Sequence, residues 1–538
     1  MPPYCLFMFT SALLCFEAGV SFIDDVNAAL AAHDLTVAVA RLERFERRAD
    51  FHGPSLWIIR NWKAERVMNP VRRVKVARCH ERAVSGVGRM AQIALRRSHI
   101  IAAAAMTALV ASCAHSPGQA SPPPIAAPVP APETGAITYA SSGHAEMDIW
   151  RAAFSEKALA AGHDRDVVKS VLTGISPLEL WLGSSFQPAQ TGIADQAEFA
   201  KPIWDYLRVP MSNSRISTGA SRLAENPALF DSLEAAYGVD REAIVAIWGM
   251  ETSFGAVKGN FDAPNVLSNM AVEGRRKSLA ERELLSLIKI LEQGDAERDD
   301  LIAGWAGAMG HTQFMPSTFI AYAEDFDGDG KKDVWESEAD ALASTANYLA
   351  NSGYTLNQPW GIEVLARTGF DFGLADGNER RIETWATEGL VPARGGTFET
   401  GGANYAELWL PAGAEGPKYL LFNNFKAFKT YNNADSYAFA VGLSGDAMGG
   451  QSGPIASWPT HLTPLTVSEI KILQAALNAQ GFDAGGVDGI PGRKTKGALQ
   501  GFQKSKGLVA DGYPTKQALT LVTGESNVGV ASSPSGTN

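Results

Sequence analysis

One short apolar run, ending near residue 113, divides this chain into two unlike kinds of sequence. Residues 1–113 contain 15 Lys and Arg against 9 Asp and Glu, and they hold all four cysteines. The rest contains 32 Lys and Arg against 49 Asp and Glu, and no cysteine. No disulfide can therefore stabilise that larger part, and its acidic balance argues against nucleic-acid binding, which needs a basic surface. A chain of 538 residues is also too long for one hydrophobic core, so at least two domains are expected.

The apolar run has the pattern of an export signal. It follows a basic start at Met90 and extends over residues 100–110, which is too short to span a bilayer comfortably. The next residues complete a Val-Ala-Ser-Cys sequence that resembles a bacterial lipobox, in which the cysteine is lipidated. Residues 90–113 are therefore predicted to be the signal peptide, and Cys113 is predicted to carry a lipid anchor. An ordinary signal peptide with an incidental cysteine is the alternative.

Residues 1–89 precede this signal, and they are rich in arginine after position 40. We interpret them as a doubtful N-terminal extension, translated from a start codon placed too early. A genuine extension, in which residues 6–16 target or anchor the chain, is the alternative. The mature N-terminus distinguishes the two, and a start before Cys113 would contradict the lipoprotein prediction.

The exported part divides into two predicted domains joined by linkers. Residues 114–143 are rich in Pro, Ala and Ser and predict an extended linker. Helical patterns separated by Gly- and Pro-rich loops fill residues 144–450. Residues 451–464 are predicted to be a second linker, residues 465–523 a small terminal module, and residues 524–538 a disordered tail.

The terminal module contains a short internal repeat. Asp488-Gly489 and Asp511-Gly512 each begin a turn, and a threonine suited to cap a helix follows each of them. With Leu473-Gln474 and Phe502-Gln503, these residues match the pattern of the type one peptidoglycan-binding module, which the segment resembles. The resemblance implies a three-helix domain that binds peptidoglycan. A small helical domain without a ligand is the alternative.

A largely apolar helix is predicted to end at one carboxylate, Glu251. Asp240 is a suitable N-cap, and Ile244, Ile247 and Trp248 form an apolar stripe. A carboxyl group that emerges from apolar packing is expected to have a raised pKa, because desolvation disfavours its charged form. Such a group suits general acid catalysis near neutral pH. Taken alone, however, a glutamate at a helix end is more often a solvated residue.

A second segment, residues 304–317, is rich in small residues, which allow a backbone to approach a ligand closely. Thr312 and Gln313 are predicted to hydrogen-bond sugar hydroxyl or acetamido groups. For His311, a hydrogen-bonding or packing role is expected rather than catalysis. Without further context, a packed Gly-rich turn would explain the segment.

These segments, in this order, resemble the lytic transglycosylase B family, bacterial peptidoglycan-cleaving enzymes of glycoside hydrolase family 103. The matching motifs lie within residues 147–445 and are Glu251-Thr252-Ser253-Phe254-Gly255, residues 306–310, residues 313–317, Tyr431-Asn432 and Tyr437-Ala438. The resemblance implies a mainly α fold: an α+β lysozyme-like catalytic domain followed by the three-helix module. In one departure, Gly304 stands where the family often has serine, so a hydroxyl contact to substrate is expected to be lost there.

The resemblance also implies roles for individual residues. Glu251 would be the catalytic acid and base, and the residues contacting the sugars would be Ser253, Phe254, Gln313, Tyr431, Asn432 and Tyr437. Ordinary glycosidases use two carboxylates, whereas this family is understood to use one. Glu251 would protonate the oxygen between N-acetylmuramic acid and N-acetylglucosamine and then deprotonate the muramyl C6 hydroxyl, which closes a 1,6-anhydro ring. The alternatives are a hydrolytic muramidase on the same fold and a non-catalytic wall-binding protein.

A third motif, residues 325–336, has the spacing of an EF-hand loop. The candidate ligands are Asp325, Asp327, Asp329, the backbone carbonyl of Lys331, Asp333 and Glu336. Oxygen ligands suit Ca²⁺, a hard cation, and we expect a structural ion. The family carries such a loop too, and its closing carboxylate can come later, so Asp340 competes with Glu336. An acidic surface loop without a metal is the alternative.

Together these features predict an enzyme of the bacterial periplasm, anchored by lipid to the outer membrane. Its predicted partners are the glycan strands of peptidoglycan and the membrane, with no nucleic acid. The sequence does not indicate an oligomeric state.

Overall fold

The computed structural model describes residues 135–182 and 201–524. The predicted extension, signal peptide, Cys113 and, apart from Gly524, the predicted disordered tail therefore lie outside the described residues. Those that are described belong to one compact unit, Ala131–Asn538. Among them, no helix combines the length and the apolar character needed to cross a membrane.

Seventeen α-helices dominate the described part of the chain, as the mainly α prediction requires. In chain order they are α1 (Ala145–Ala160), α2 (Arg165–Leu172), α3 (Glu179–Leu182), α4 (Ile203–Tyr206), α5 (Asn213–Glu225), α6 (Pro227–Tyr237), α7 (Arg241–Thr252), α8 (Ala263–Glu273), α9 (Lys277–Gln293), α10 (Pro316–Tyr322), α11 (Glu338–Asn351), α12 (Ile382–Glu388), α13 (Asn423–Tyr431), α14 (Asp435–Met448), α15 (Val467–Ala479), α16 (Arg493–Ser505) and α17 (Lys516–Thr523).

Seven short strands form two antiparallel sheets in the described residues. They are β1 (Phe261–Asp262), β2 (Ile302–Ala303), β3 (Gly361–Ala366), β4 (Glu379–Arg381), β5 (Leu390–Pro392), β6 (Tyr405–Trp409) and β7 (Lys418–Leu421). Strands β1 and β2 pair alone, and the larger sheet has the order β4-β6-β7-β3-β5. In its centre, Val364 of β3 lies opposite Lys418 of β7 and Pro392 of β5. This sheet packs against α12 over a small core that includes the fully buried Trp385.

Helix α7 runs through the main hydrophobic core. Its residues from Ala243 to Gly249 are all buried, as expected of a helix that is apolar on every side. Helix α14 packs across it, and a side chain at Gly445 would meet the Glu242 carbonyl oxygen at 2.8 Å. The small residues of α14 therefore let the two helices approach closely.

The start of α7 differs from the prediction in one detail. Asp240 occupies the N-cap position, but its carboxylate makes no capping hydrogen bond. Instead it accepts hydrogen bonds from the Tyr354 hydroxyl at 2.9 Å and from the backbone N–H of Asn357 at 3.2 Å. The aspartate thus attaches the loop after α11 to the helix that carries Glu251.

Both predicted linkers are partly packed against the catalytic domain. Within residues 135–143, Ile137 is buried and the Tyr139 hydroxyl lies 2.9 Å from Ser155 Oγ. Within residues 451–464, the backbone N–H groups of Ile455 and Ala456 donate to the Glu363 carboxylate at 2.7 and 2.8 Å. Apolar and hydrogen-bonding residues outweigh the Pro-, Gly- and Ser-rich composition in these segments, so they are ordered parts of the domain.

The terminal module consists of α15, α16 and α17 around its own apolar core. The internal repeat corresponds to a repeated set of contacts. Gln474 donates to Asp488 Oδ1 and accepts from the backbone N–H of Gly489, both at 2.9 Å. Gln503 makes the same two contacts with Asp511 Oδ1 and the Gly512 N–H, at 2.9 and 2.8 Å. Each buried glutamine therefore holds one Asp-Gly turn.

Candidate active site

Glu251 lies in the last turn of α7, as predicted, where the helix ends sharply. Ser253 and Phe254 both have positive φ, 52° and 61°, although neither is glycine. Their N–H groups donate back to the Gly249 and Trp248 carbonyls at 3.2 Å, which completes the helix end. Each such conformation costs about 1 kcal/mol or more and occurs often at functional sites. The carboxylate is therefore presented from a fixed turn.

A buried tyrosine holds the Glu251 carboxylate. The Tyr437 hydroxyl, from α14, donates to Glu251 Oε1 at 2.5 Å. Burial, reinforced by the charge of Glu251, raises the pKa of Tyr437 well above its ordinary value, so the hydroxyl remains protonated and can donate. Because Tyr437 is only 4% exposed, its ring has little freedom to move. This contact orients the carboxyl group for proton transfer.

Tyr431 lies at the C-terminal end of α13, on the same side of the site. Its hydroxyl donates to the Thr312 carbonyl at 2.6 Å, and its ring packs near Tyr348, with centroids 5.2 Å apart. Burial and the charge of Glu251 raise the pKa of Tyr431 as well. The charge of Glu251 therefore raises the pKa of both tyrosines.

The Gly-rich segment presents Gln313 from another positive-φ position, at 53°. The Gln313 side-chain amide donates to the carbonyls of Lys258 and Gly310 at 3.1 and 3.0 Å. A Cβ atom at Gly304 would lie 2.9 Å from Gln313 Oε1. A serine at position 304 would therefore require the flexible Gln313 amide to shift.

Two side chains predicted to contact sugars are instead buried. The Phe254 ring is 7% exposed and packs edge-on against Trp248, with centroids 5.7 Å apart. Thr312 is fully buried, and its Oγ1 has no hydrogen-bond partner within the described residues. Both side chains are thus directed inwards in the structure, and their contact with sugars stays a prediction.

His311 packs behind the site, as predicted. Its Nδ1 accepts a hydrogen bond from Trp248 Nε1 at 3.1 Å, and burial lowers its pKa to about 4. A side chain at Gly255, where φ is 80°, would meet the imidazole at 2.4 Å. The neutral histidine therefore supports α7 and does not act as an acid or base.

The remaining predicted contacts, Ser253 and Asn432, are half-buried beside the site. Ser253 Oγ accepts a hydrogen bond from Arg215 of α5 at 3.1 Å. Sequence reasoning missed Arg215, because nothing in its own segment marks it as functional. It also gave no role to Trp305, which is 46% exposed and stacks on Trp181. The position of Trp305 inside the Gly-rich segment was the available signal.

The acidic loop brings three carboxylates together. Asp325, Asp327 and Asp340 each present one oxygen atom, and these atoms lie within 4.8 Å of one another. Asp340 is fully buried and accepts hydrogen bonds from the N–H groups of Phe326, Asp327 and Asp333 at 2.8–3.2 Å. Its burial raises the pKa of this carboxyl group, while the three backbone donors oppose that rise.

The other predicted ligands lie outside this cluster. Asp329 Oδ1 accepts from the Lys331 N–H at 2.8 Å, and Asp333 Oδ1 accepts from the Trp335 N–H at 2.8 Å. The Glu336 side chain is 81% exposed and pairs with Lys258 Nζ at 2.9 Å. Of the two candidates for the closing carboxylate, the structure therefore places Asp340, not Glu336, beside the other acids.

The acidic loop also contacts the Gly-rich segment directly. The His311 N–H donates to the Val334 carbonyl at 2.9 Å. Lys258 forms a second link, because its ammonium group donates to Glu336 and its backbone carbonyl accepts a hydrogen bond from Gln313. The loop that gathers the three aspartates therefore supports the segment beside Glu251.

Comparison with known proteins agrees with this geometry. The transglycosylase SLT domain matches residues 146–446, which is more than half of the chain. The chain belongs to this family. The peptidoglycan binding domain matches residues 466–521, which contain the three-helix module. The predicted fold class and family are thereby confirmed.

Two relatives among solved structures and curated proteins illustrate the family. SltB3 from Pseudomonas aeruginosa, solved in complex with NAG-anhNAM-pentapeptide and with NAG-NAM-pentapeptide, is 41% identical. The match covers 70% of this chain and 99% of SltB3, with a TM-score of 0.66. The membrane-bound lytic murein transglycosylase B of Escherichia coli (strain K12) is 32% identical over 216 residues, 39% of this chain. The chain spans 58% of the length of that curated relative.

Proposed function

We propose that this transglycosylase SLT family protein is a lytic transglycosylase. It cleaves the β-1,4 bond between N-acetylmuramic acid and N-acetylglucosamine and leaves a 1,6-anhydro end. The observation that carries the proposal is the contact between Glu251 and Tyr437: one carboxylate, at a strained helix end, fixed by a buried hydroxyl at 2.5 Å. The solved complexes of SltB3 with NAG-anhNAM- and NAG-NAM-pentapeptides support the substrate class.

The mechanism uses one carboxyl group twice. Protonated Glu251 donates its proton to the glycosidic oxygen as the bond to the muramyl C1 breaks. The resulting carboxylate then takes the proton of the muramyl C6 hydroxyl, whose oxygen attacks C1 and closes the anhydro ring. Tyr437 keeps the carboxyl group in one orientation through both steps.

The sugar-contacting set in this proposal is the one that the sequence predicts. It comprises Ser253, Phe254, Gln313, Tyr431, Asn432 and Tyr437. The half-buried positions of Ser253, Gln313 and Asn432 support contact with substrate.

Mass spectrometry of the released muropeptides tests the reaction type. An anhydro product is one water lighter than a reducing end, so products with reducing ends only would replace this proposal with a muramidase.

We also propose that the acidic loop binds a structural Ca²⁺ ion. Asp325, Asp327 and Asp340 fit the role, because three oxygen ligands converge and one of them, on Asp340, is fully buried. The ion would add positive charge where three carboxylates meet and so stabilise the loop behind His311. Asp329, Asp333 and the Lys331 carbonyl belong to the same loop and remain predicted ligands outside this cluster.

Finally, we propose that Cys113 is lipidated and that the enzyme is anchored to the outer membrane from the periplasm. The lipobox-like sequence supports this, as does the membrane-bound character of the Escherichia coli relative. Intact mass and N-terminal sequencing of the mature protein test the anchor. A mature protein that begins before Cys113, or a Cys113 without added lipid mass, would contradict it.

A further inference from the structure

A groove lies between the five-stranded sheet and the terminal module. The sheet side is formed by residues 366–372, at the end of β3, with Ala414 and Lys418, and the module side by Lys504 and residues 507–510. It encloses about 620 Å³, which is within the range of sites that hold small ligands. No residue proposed above to contact the cleaved bond lines this groove.

The two walls are held in place by direct contacts. Asp511 Oδ2 accepts a hydrogen bond from the Ala414 N–H at 2.9 Å, and Gln500 donates to the Ala375 carbonyl at 3.1 Å. Tyr513, between these contacts and the catalytic domain, packs against the core that contains α7. The groove is therefore a built feature of the molecule, since its two sides cannot separate without breaking these contacts.

The groove is lined by unpaired positive charge. Arg367, Lys418 and Lys504 line it, and within residues 135–182 and 201–524 none of them lies within 4.0 Å of a carboxylate oxygen. The one acid in the lining is Asp371. Its carboxylate accepts a hydrogen bond from the Gly373 N–H at 2.9 Å, within its own turn. The excess of cations predicts an anionic ligand.

Lys418 is the most informative of the three cations. It is half-buried, and its ammonium group donates only to the nearby Gly416 carbonyl, at 2.9 Å, while lying 5.7 Å from the centroid of the Phe372 ring. Burial lowers the pKa of the ammonium group, while the charge of Glu363 acts in the opposite direction. A half-buried cation with no carboxylate in direct contact is costly, and a bound carboxylate would offset that cost.

Apolar surface adjoins these charges. On the module, Leu508 and Val509 are 43% and 58% exposed, and on the sheet, Phe370 and Phe372 pack edge to face with centroids 5.2 Å apart. A ligand that matches this wall has carboxylates and small aliphatic groups in one extended molecule. The stem peptide of peptidoglycan, a short acidic peptide with alanine methyl groups, has that chemistry. The glycan to which it is attached does not, because each substituted lactyl carboxyl group is an uncharged amide.

We propose that this groove binds the stem peptide of peptidoglycan through Arg367, Lys418 and Lys504, at a second binding point separate from Glu251. The proposal rests on the proposed function in taking peptidoglycan as the source of the peptide. It gives the terminal module a defined ligand surface, shared with the sheet domain, and it predicts that peptide-bearing strands are held more tightly than bare glycan.

Calorimetry with the full exported chain and a synthetic Ala-γ-Glu-diaminopimelate tripeptide, which contains no sugar, tests the proposal. We expect binding that weakens with salt, and a loss of about tenfold or more in affinity in Lys418→Met/Lys504→Gln, which removes two charge-assisted contacts. Lys504→Gln alone changes an exposed side chain, so it provides the same test if the double variant folds poorly. The control Lys494→Gln, on the same module but paired with Asp483, is expected to bind normally.

The outcomes separate this inference from the catalytic proposal. Glu251→Gln is expected to bind the tripeptide with unchanged affinity, whatever its activity on peptidoglycan. Absence of tripeptide binding, equal binding by Lys504→Gln and Lys494→Gln, or equal competition by an uncharged N-acetylglucosamine oligomer would overturn the inference. None of these results bears on whether Glu251 cleaves the glycan.

Discussion

At the scale of single residues, the site depends on how Tyr437 and the end of α7 fix one carboxylate. Glu251 was singled out by the Glu251-Thr252-Ser253-Phe254-Gly255 motif and its resemblance to the family, because its local pattern alone more often marks a solvated residue. Its partnership with Tyr437 joins residues 186 positions apart, and no local pattern predicts such a contact. The inward orientation of Phe254 also escaped prediction, because a positive φ at a non-glycine residue is rare and reflects tertiary packing.

Replacing Tyr437 by phenylalanine removes the hydroxyl that holds Glu251. A hydrogen bond to a charged group contributes about 1.5–3 kcal/mol, so we expect kcat to fall by roughly 10- to 100-fold. KM should change little if the contact mainly orients the acid. The matched control is Tyr405→Phe, because Tyr405 is exposed on β6 and is not a residue of the proposed site. Unchanged kcat in a folded Tyr437→Phe variant would disprove the positioning role.

His311 gives the molecule a specific dependence of stability on pH. Its pKa is about 4 in the folded protein and 6.5 ordinarily, so between these values the unfolded chain binds a proton that the folded chain does not. The stability that His311 contributes is therefore complete above pH 6.5 and is lost as the pH falls towards 4. Asp446, whose burial raises its pKa to about 6, acts in the opposite direction.

Urea unfolding of the wild type and of His311→Gln at pH 7 and pH 5 measures this effect. The wild type should lose more unfolding free energy between the two values than the variant, because Asp446 contributes to both proteins. Equal losses would show that His311 titrates normally. Calcium is kept constant so that the acidic loop does not enter the comparison.

At the scale of elements, the sequence predicted well wherever a pattern is local. The apolar stripe of α7 and the Asp-Gly repeat of the module both depend on neighbouring residues. The EF-hand spacing placed Asp325 and Asp327 correctly together, but Asp329, Asp333 and Glu336 lie outside their cluster. The segment at residues 451–464, predicted to be a linker, contacts the domain through Glu363 and through Trp458, which packs against Trp204 and Phe439. Such contacts leave no periodic signal in the segment itself.

Calcium should stabilise the acidic loop. We expect the melting temperature to rise by a few degrees when Ca²⁺ is added to chelator-treated protein, because the ion binds the folded loop and not the unfolded chain. Asp340→Asn should abolish this rise, since it removes the buried carboxylate of the cluster. Glu336→Gln should retain it, because Glu336 pairs with Lys258 instead. Calcium sensitivity lost in Glu336→Gln and kept in Asp340→Asn would reverse the ligand assignment.

At the scale of the whole molecule, the two folded parts form one unit. The sequence predicted a catalytic domain and a terminal module, but it did not predict how the module is attached. The attachment depends on which of the two Asp-Gly turns faces the catalytic domain. Asp488 and Asp511 occupy equivalent turns, yet only Asp511 accepts a hydrogen bond from the sheet domain among the described contacts. The second Asp-Gly turn therefore attaches the module to the catalytic domain.

This difference supplies a matched pair of variants. In Asp511→Ala, the Ala414 N–H loses its acceptor, so its hydrogen exchange should accelerate and the module should move more freely. Asp488→Ala disturbs the equivalent turn but should leave exchange at Ala414 unchanged. Equal exchange in both variants would show that Asp511 does not hold the module in place.

The central claim is that one carboxylate, Glu251, performs the cleavage. Its most direct test is digestion of purified peptidoglycan by the wild type, by Glu251→Gln and by the surface control Glu225→Gln, with anhydro-muropeptides counted by mass spectrometry. We expect anhydro products from the wild type and the control, and loss of nearly all product in folded Glu251→Gln, which keeps the shape of the side chain but cannot transfer the proton. Anhydro products released by Glu251→Gln at the wild-type rate would contradict the account.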